Sequence, residues 1–181
     1  LQAARFSNRC LPWHDGKPPS EAEIAAAFDS RGNLLLLDQG RRLQWNLRCQ
    51  LDSVVVVSRR TDADDRESYL YDGAGQRVCK TRSSRASARS LLAQVRYLPA
   101  LELRTDTGTG ESLQVIIVRT GLNIVRVLHW QSPSPTGVNY LYRYSFNDHL
   151  GSISLELDAD AQLISREHFY PFGATAWAEE P

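Results

Sequence analysis

The residue pair best suited to chemistry in this 181-residue chain is Asp148-His149, a carboxylate beside an imidazole. A carboxylate that orients an imidazole can create a general base. Neighbouring residues on a strand point to opposite faces of a sheet, however, so these two side chains are not expected to cooperate. We therefore expect the pair to stabilise a turn, and we predict no catalytic residue in this chain.

Metal-ligating residue types are present, but their spacing does not favour a metal site. His14, His129 and His168 are isolated from one another, with no H-x-H or H-x-x-x-H spacing. The carboxylates between residues 62 and 67 lack the glycine and terminal glutamate of a calcium loop, which favours a solvated loop. The 3 cysteines include no C-x-x-C pair, so neither a zinc site nor a disulfide framework is indicated. We predict no metal and no cofactor.

Charge and hydrophobicity exclude two kinds of partner. The 21 Lys+Arg balance 21 Asp+Glu, which argues against nucleic acid or an anionic membrane, because both require a basic field. The basic stretch with Arg82, Arg85 and Arg89 is interpreted as an exposed loop. The longest apolar runs, residues 34–37 and 54–57, are far shorter than the ~20 residues that span a bilayer. Because the chain has no Met, we expect it to be an interior part of a longer protein.

Alternating apolar residues and frequent turn residues predict a mainly β fold. The helical signal is a capping box at Ser20 and Glu23, which predicts one short helix over residues 20–28. Within residues 140–146, aromatic residues occupy every second position, which places four aromatic side chains on one face of a predicted strand. Twelve strands are predicted, over residues 33–38, 42–47, 52–59, 67–72, 76–82, 90–98, 101–105, 112–120, 124–130, 139–146, 152–158 and 162–170.

An internal repeat of the form aromatic–Asp–x–x–Gly–amide occurs at two places. Its members are Phe28, Asp29, Gly32 and Asn33 in the first copy and Tyr71, Asp72, Gly75 and Gln76 in the second. A weaker third copy, residues 157–162, has Ala at the glycine position. The Asp side chain can accept hydrogen bonds from turn amides, and glycine tolerates a positive φ. The repeat therefore predicts a hairpin tip.

This repeat resembles the YD repeat of Rhs proteins, and two motifs near the C-terminus are more specific. The motifs are Asp148-His149-Leu150-Gly151-Ser152 and Tyr170-Pro171-Phe172-Gly173, which resemble the signature that closes the Rhs core. Residues 28–45, 64–80, 96–102 and 127–130 are similar to the C subunit of bacterial insecticidal Tc toxin complexes. The resemblance covers nearly the whole chain, and is weakest before residue 18 and over residues 83–90.

The resemblance implies a structural function. Successive antiparallel hairpins would form a curved sheet, part of a hollow β-shell that encapsulates a C-terminal cytotoxic domain for delivery into target cells. The implied partners are a toxin B subunit, through it a channel-forming A subunit, and the chain's own toxin cargo. The protein would be made in the bacterial cytoplasm and secreted. Alternatives are an Rhs-type toxin of an interbacterial secretion system, or a remnant that acts as an interaction module.

The same resemblance implies a domain layout. Residues 1–19 are expected to be an extended segment, residues 20–173 the repeat core, and residues 174–181 a tail. In the family a self-cleaving segment and the toxin domain follow the P-F-G motif, so we expect both to lie beyond residue 181.

Overall fold

The computed structural model describes residues 1–37, 40–86, 89–171 and 173–180, and it is almost entirely antiparallel β-sheet. It contains one helix, α1 (Glu21–Ala26). The strands are β1 (Gln2–Ala3), β2 (Cys10–Leu11), β3 (Leu36–Leu37), β4 (Arg41–Trp45), β5 (Leu51–Val57), β6 (Asp65–Tyr71), β7 (Arg77–Ala86), β8 (Arg89–Leu98), β9 (Leu101–Asp106), β10 (Glu111–Thr120), β11 (Asn123–Trp130), β12 (Tyr140–Asn147), β13 (Ile153–Leu157), β14 (Leu163–Phe169) and β15 (Thr175–Glu179). No helix in the described residues has the length and apolar character needed to cross a bilayer.

The strands follow one another in the sheet in the order of the sequence, from β3 to β15. This order confirms the prediction of successive antiparallel hairpins. Each of the twelve predicted strands is present, although the first is reduced to Leu36–Leu37 and its predicted end, Asp38, lies outside the described residues. The interpretation of Arg82, Arg85 and Arg89 as a loop is wrong, because these residues lie in β7 and β8.

Three strands were not predicted. The residues before α1 contain the β1–β2 pair, and β15 pairs with β14 in the stretch expected to be a tail. All residues of β15 are exposed, so this strand lacks the buried alternation from which strands are recognised.

The helix forms as its capping box predicts, but it is shorter than expected. The Glu23 N–H donates to Ser20 Oγ at 3.3 Å, and the Ser20 N–H donates to Glu23 Oε2 at 2.7 Å. The Ser20 hydroxyl also donates to Glu23 Oε2 at 2.7 Å, and this bond, followed by the one from the Ser20 N–H, holds the pKa of Glu23 below its ordinary value. The helix ends at Ala26, and Phe28 instead forms a β-bridge with Leu34.

The chain divides into two compact units, which we call the N-terminal unit (Leu1–Ser90) and the C-terminal unit (Leu91–Pro181). The sequence placed no boundary within residues 20–173. The buried apolar residues of the N-terminal unit are Ile24, Leu43, Val54, Val55 and Cys79. In the C-terminal unit Leu113, Val115 and Trp130 form the core, with Ile117, Leu128 and Leu141 packed against it.

Candidate functional site

The aromatic–Asp repeat forms a five-residue hairpin turn whose geometry is clearest at Asp29. The Asp29 N–H donates to Asn33 O at 2.9 Å, and the Gly32 N–H donates to Asp29 O at 3.1 Å. Asp29 Oδ1 accepts from the amides of Arg31 at 2.9 Å and Asn33 at 2.8 Å. Gly32 has φ +90°, the left-handed conformation that favours glycine. We call this arrangement the motif turn.

The Asp29 carboxylate is the electrostatic centre of its turn. The Asn33 side-chain amide donates to Asp29 Oδ2 at 2.9 Å. That bond, followed by the one from the Asn33 backbone N–H, holds the pKa of Asp29 below its ordinary value. The ionised form is the one that stabilises the turn.

The motif turn recurs at both other places where the sequence predicted it. At Asp72 the backbone bond runs to Gln76 O at 2.9 Å, and Gln76 N–H donates to Asp72 Oδ1 at 2.8 Å. At Asp158 the carboxylate accepts from Asp160 N at 2.9 Å and Gln162 N at 2.8 Å. The fourth residue there is Ala161, which adopts φ +58° despite having a side chain.

Sequence reasoning missed a further copy at Asn46. Its side-chain oxygen accepts from the amides of Arg48 at 2.9 Å and Gln50 at 3.1 Å, and the fourth residue, Cys49, has φ +58°. Asn replaces Asp as the acceptor, and Cys replaces Gly. The remaining signal was the aromatic residue before the turn, Trp45, together with the amide at its fifth position.

The two C-terminal motifs are also motif turns. Asp148 Oδ1 accepts from Leu150 N at 2.8 Å and from Ser152 N at 2.9 Å, and the Asp148 N–H donates to Ser152 O at 2.8 Å. The fourth residue, Gly151, has φ +86°. The pair Asp148-His149 is thus placed in a turn, with its carboxylate bound to backbone amides.

The Tyr170-Pro171-Phe172-Gly173 motif has the backbone bonds of the motif turn without its carboxylate. The Tyr170 N–H donates to Ala174 O at 2.8 Å, and the Gly173 N–H donates to Tyr170 O at 2.8 Å. Gly173 has φ +84°. Phe172, which was predicted as part of this motif, lies outside the described residues.

The two C-terminal motif turns lie near each other at the same end of their strands. One turn joins β12 to β13 and the other joins β14 to β15, so they are separated by a single hairpin. Between them is a concavity of about 320 Å³. Its lining residues are Asp148, His149, Leu150, Ser152, Phe169, Tyr170, Pro171 and Gly173. This concavity is the candidate functional site.

The site contains the residue types of a serine-hydrolase triad, but not their geometry. In the described part of the chain no hydrogen bond or ion pair joins His149 to Asp148 or to Ser152. Leu150 and Tyr170 are exposed at the rim. The arrangement offers a contact surface with an apolar rim rather than an activated nucleophile.

The motif turns of the N-terminal unit are linked by arginines. Arg9 donates to Asp29 O at 3.1 Å, and Arg31, in that turn, donates to Leu47 O at 3.0 Å. Arg48, in the turn at Asn46, donates in the same way to Asp72 O at 3.4 Å. We call this series the arginine ladder. It connects successive hairpin tips at one end of the strands.

The expectation of a solvated loop for the carboxylates between residues 62 and 67 is wrong at Asp65 and Glu67, because both lie in β6 and Asp65 is buried. Arg59 forms a bidentate pair with Asp65, at 3.0 and 2.8 Å, and Arg85 N–H donates to the same carboxylate at 2.9 Å. The Arg59 bond, followed by the Arg85 amide bond, lowers the pKa of Asp65. Among the residues that the structure describes, no cluster of three or more His, Cys, Asp or Glu side chains could hold a metal ion.

A second polar group lies within a concavity of about 480 Å³ in the N-terminal unit. Glu67 accepts from Tyr69 and pairs with Lys80 at 3.0 Å. Burial opposes ionisation of Glu67, but these two partners outweigh it, so its pKa is lowered. Burial, followed by the bond to Glu67, raises the pKa of Tyr69. Both groups therefore hold fixed protonation states at neutral pH.

No protein-family model matches the chain. Toxin subunit YenC2 of Yersinia entomophaga is 42% identical over 163 residues, which cover 87% of this chain and 17% of that relative. Toxin subunit YenC1 of the same organism is 38% identical over 181 residues, covering 97% of this chain and 18% of that relative. The chain thus spans less than a fifth of the length of these relatives.

Two solved structures give the same result. A mutant Tc holotoxin pore of Photorhabdus luminescens that contains TccC3 superposes with a TM-score of 0.85 and 39% identity, over 98% of this chain and 8% of that chain. The crystal structure of TcdB2-TccC3 gives a TM-score of 0.83 and 39% identity, over 98% and 9%. Sequence, turn motifs and strand order agree, and over nearly its whole length the chain matches one segment of the Rhs-repeat C subunits of Tc toxins.

Proposed function

We propose that this chain is a wall segment of a β-shell that encloses the cytotoxic C-terminal part of its parent polypeptide until delivery into a target cell. The observation that supports this most directly is the hairpin series. Strand order follows sequence order, and six motif turns reverse the chain with one backbone geometry. Such a series buries its strands only against their neighbours, so it can extend as a wall.

The proposed partners follow from the solved relatives. The TcdB2-TccC3 structure pairs two subunits, and we propose that the parent of this chain likewise assembles with a B subunit. Through it the shell would dock on a channel-forming A subunit, as part of a secreted toxin complex. The zero net charge supports a role without nucleic acid or an anionic membrane surface.

We propose further that the segment is not enzymatic. In the candidate site the Asp148 carboxylate is occupied by two backbone amides and is not free to orient His149. The concavity is then a surface depression between two neighbouring hairpin tips and not an active site.

The test is co-expression of the parent reading frame with a B subunit, followed by size exclusion and negative-stain imaging. We expect a hollow particle in which the C-terminal region resists added protease. The parent chain expressed without the B subunit is the control, and its C-terminal region should be digested. A complex without a cavity, or with a C-terminal region digested as fast as in the control, would contradict the proposal.

Two other outcomes would select the alternatives. A closed shell without any B subunit would favour an Rhs-type toxin of an interbacterial system, and binding without a shell would favour an interaction module. The non-enzymatic role is tested by following the intact mass of the 181-residue chain over time. A time-dependent cut within residues 1–181 would show that the segment cleaves itself.

A further inference from the structure

Strand β12 extends past the hairpin that follows it in the sheet. Its pairing with β11 runs over residues 140–145, whereas its pairing with β13 begins only at Tyr144. The β13–β14 hairpin has by then turned back at Asp158, whose N–H donates to Gln162 O at 3.0 Å. In the part of the chain that the structure describes, residues 140–143 therefore have no neighbouring strand on the β13 side. We call these residues the β12 overhang.

The register identifies the backbone groups of the overhang that β11 does not use. In an antiparallel pair, opposite residues alternate between those that exchange hydrogen bonds and those that do not. The Trp130 N–H donates to Asn139 O at 3.0 Å, so these two residues form an exchanging pair. The next pair, His129 and Tyr140, does not exchange bonds, and neither does Tyr142 two residues further on. The backbone N–H and C=O groups of both tyrosines therefore point away from β11.

The same backbone groups have no partner on the β13 side. Within the described residues, no hydrogen bond reaches the backbone N–H or C=O of Tyr140 or Tyr142. Two residues further along, Tyr144 lies opposite Leu157, so the ladder with β13 begins where the overhang ends. Unpaired backbone groups on a strand edge are a template for pairing with another chain. The β12 overhang thus has the hydrogen-bonding capacity for one added strand.

The space beside the overhang is open and suits a short strand. A concavity of about 280 Å³ is lined by the overhang, by the turn at Asp158 and by Ile164. The side chains of Tyr140 and Tyr142 are 50% and 43% exposed. Because a strand rises about 3.3 Å per residue, the overhang presents an edge about 13 Å long. This edge accommodates about four residues of an added strand.

The charges beside the overhang favour a basic residue in the added strand. The lining of the concavity includes the carboxylates of Asp158 and Asp160 but only one guanidinium, that of Arg143. Asp158 Oδ1 accepts from the turn amides, whereas the Asp160 carboxylate has no hydrogen bond or ion pair within the described residues. An exposed ion pair contributes little binding energy, so the charge selects among strands that the backbone bonds hold.

We infer that the β12 overhang docks an extended segment of a separate polypeptide, which adds a strand in the line of β13 and places a Lys or Arg next to Asp160. In antiparallel pairing, one of its residues exchanges two backbone hydrogen bonds with Tyr142 and another exchanges two with Tyr140. Backbone bonds supply the affinity in strand addition of this kind, and alternate side chains supply the selectivity. A second copy of the chain is a poorer match, because antiparallel pairing of two overhangs places residues 131–139, which contain no Lys or Arg, against Asp160.

The first experiment uses peptides, titrated with the 181-residue chain and followed by fluorescence anisotropy. The probe is a fluorescein-labelled pentapeptide, Lys-Val-Thr-Val-Lys. One matched peptide carries N-methyl groups on its three central residues, which remove the backbone donors of both edges and keep every side chain. Another replaces both lysines by glutamate. We expect saturable binding of the probe, about tenfold weaker binding of the N-methylated peptide, and about twofold to fivefold weaker binding of the acidic one.

A pair of variants removes one backbone donor of the overhang. Tyr142→Pro deletes an N–H that points away from β11, a position at which a strand edge tolerates proline. Tyr142→Val is the matched control, because it also lacks the aromatic ring but retains the N–H. We expect the proline variant to bind the probe about fivefold more weakly than the valine variant.

Hydrogen exchange followed by NMR on the unaltered chain requires no variant to fold. The amides of Tyr140 and Tyr142 should exchange fast and those of Leu141 and Arg143 slowly, because only the latter pair with β11. The probe peptide should then slow the exchange of the two tyrosine amides.

Four results would overturn the inference. They are equal affinities of the plain and N-methylated peptides, absence of probe binding at millimolar concentration, and slow exchange of the tyrosine amides in the free chain. The fourth is self-association of the chain that Tyr142→Pro abolishes and Tyr142→Val does not, since the occupant would then be a second copy.

Discussion

The positive φ of Ala161 makes the motif turn at Asp158 open to a stabilising substitution. Ala161 adopts φ +58°, where glycines stand in the turns at Asp29, Asp72 and Asp148. A side chain in this conformation costs about 1–2 kcal/mol. Glycine removes that cost, but it also increases the entropy of the unfolded chain, which lowers the free energy of unfolding by about 0.4–1 kcal/mol. We therefore expect Ala161→Gly to increase the free energy of unfolding by about 0.5–1 kcal/mol.

The assay is urea unfolding of the 181-residue chain followed by far-UV circular dichroism. A change in midpoint at constant slope reports a change in stability. Ala159→Gly is the matched control, because Ala159 lies in the same turn but outside the positive-φ set. The free energy of unfolding of this control should fall by about 0.4–1 kcal/mol, since only the entropy of the unfolded chain changes.

The two alanines must therefore respond with opposite signs. If Ala161→Gly left the midpoint unchanged, or lowered it as the control does, the assignment of strain to the fourth position of the motif turn would be refuted. Cys49→Gly provides an independent repeat in the turn at Asn46, with an increase expected there as well.

Three further predictions concern turn, core and pH. Gly75→Ala should destabilise the chain by about 1 kcal/mol in urea unfolding, because φ is +84° and a new Cβ would lie 3.2 Å from a side-chain amide. Leu113→Ala should lower the free energy of unfolding by about 2–5 kcal/mol in the same assay, because Leu113 is buried. Ile116→Ala, in the same strand but exposed, should lower it by about 1 kcal/mol or less, and equal losses would contradict the placement of these two residues on a buried and an exposed face. Asn33→Ala should raise the Asp29 pKa toward its ordinary value of 3.8, seen by NMR titration. Because the folded pKa of Asp29 is lowered, its stabilising effect is present above the ordinary pKa and disappears as pH falls through the folded one, so this variant should differ from the parent at neutral pH and converge with it in acid.

The strands and their order could be predicted because the turn chemistry is local. Asp29 and Asp72 each precede a glycine by three residues, and both the carboxylate and the glycine have a physical reason to be there. The copy at Asn46 escaped detection because its acceptor is an amide and its positive φ belongs to Cys49, a residue for which that conformation is unfavourable.

Which face of the sheet is buried could not be predicted from alternation. Leu113 and Val115 point to the core, yet Ile116 and Val118, in the other phase of the same strand, are equally apolar and exposed. Periodicity gives two faces but not their surroundings. The candidate site was likewise beyond sequence reasoning, because Asp148 and Tyr170 approach each other only through the intervening hairpin.

The motif turn also determines where this protein tolerates change. Its hydrogen bonds involve the first, third, fourth and fifth residues, while the second residue contributes no side-chain bond in the described turns. In the turn at Asn46 that residue is Leu47, whose side chain is exposed. Second positions such as Ser30, Leu47 and Gly73 can therefore diversify without disturbing the backbone. They are suitable attachment points for fluorophores or affinity tags, and sites at which related proteins could vary in their surface antigenicity while their strands remain in register.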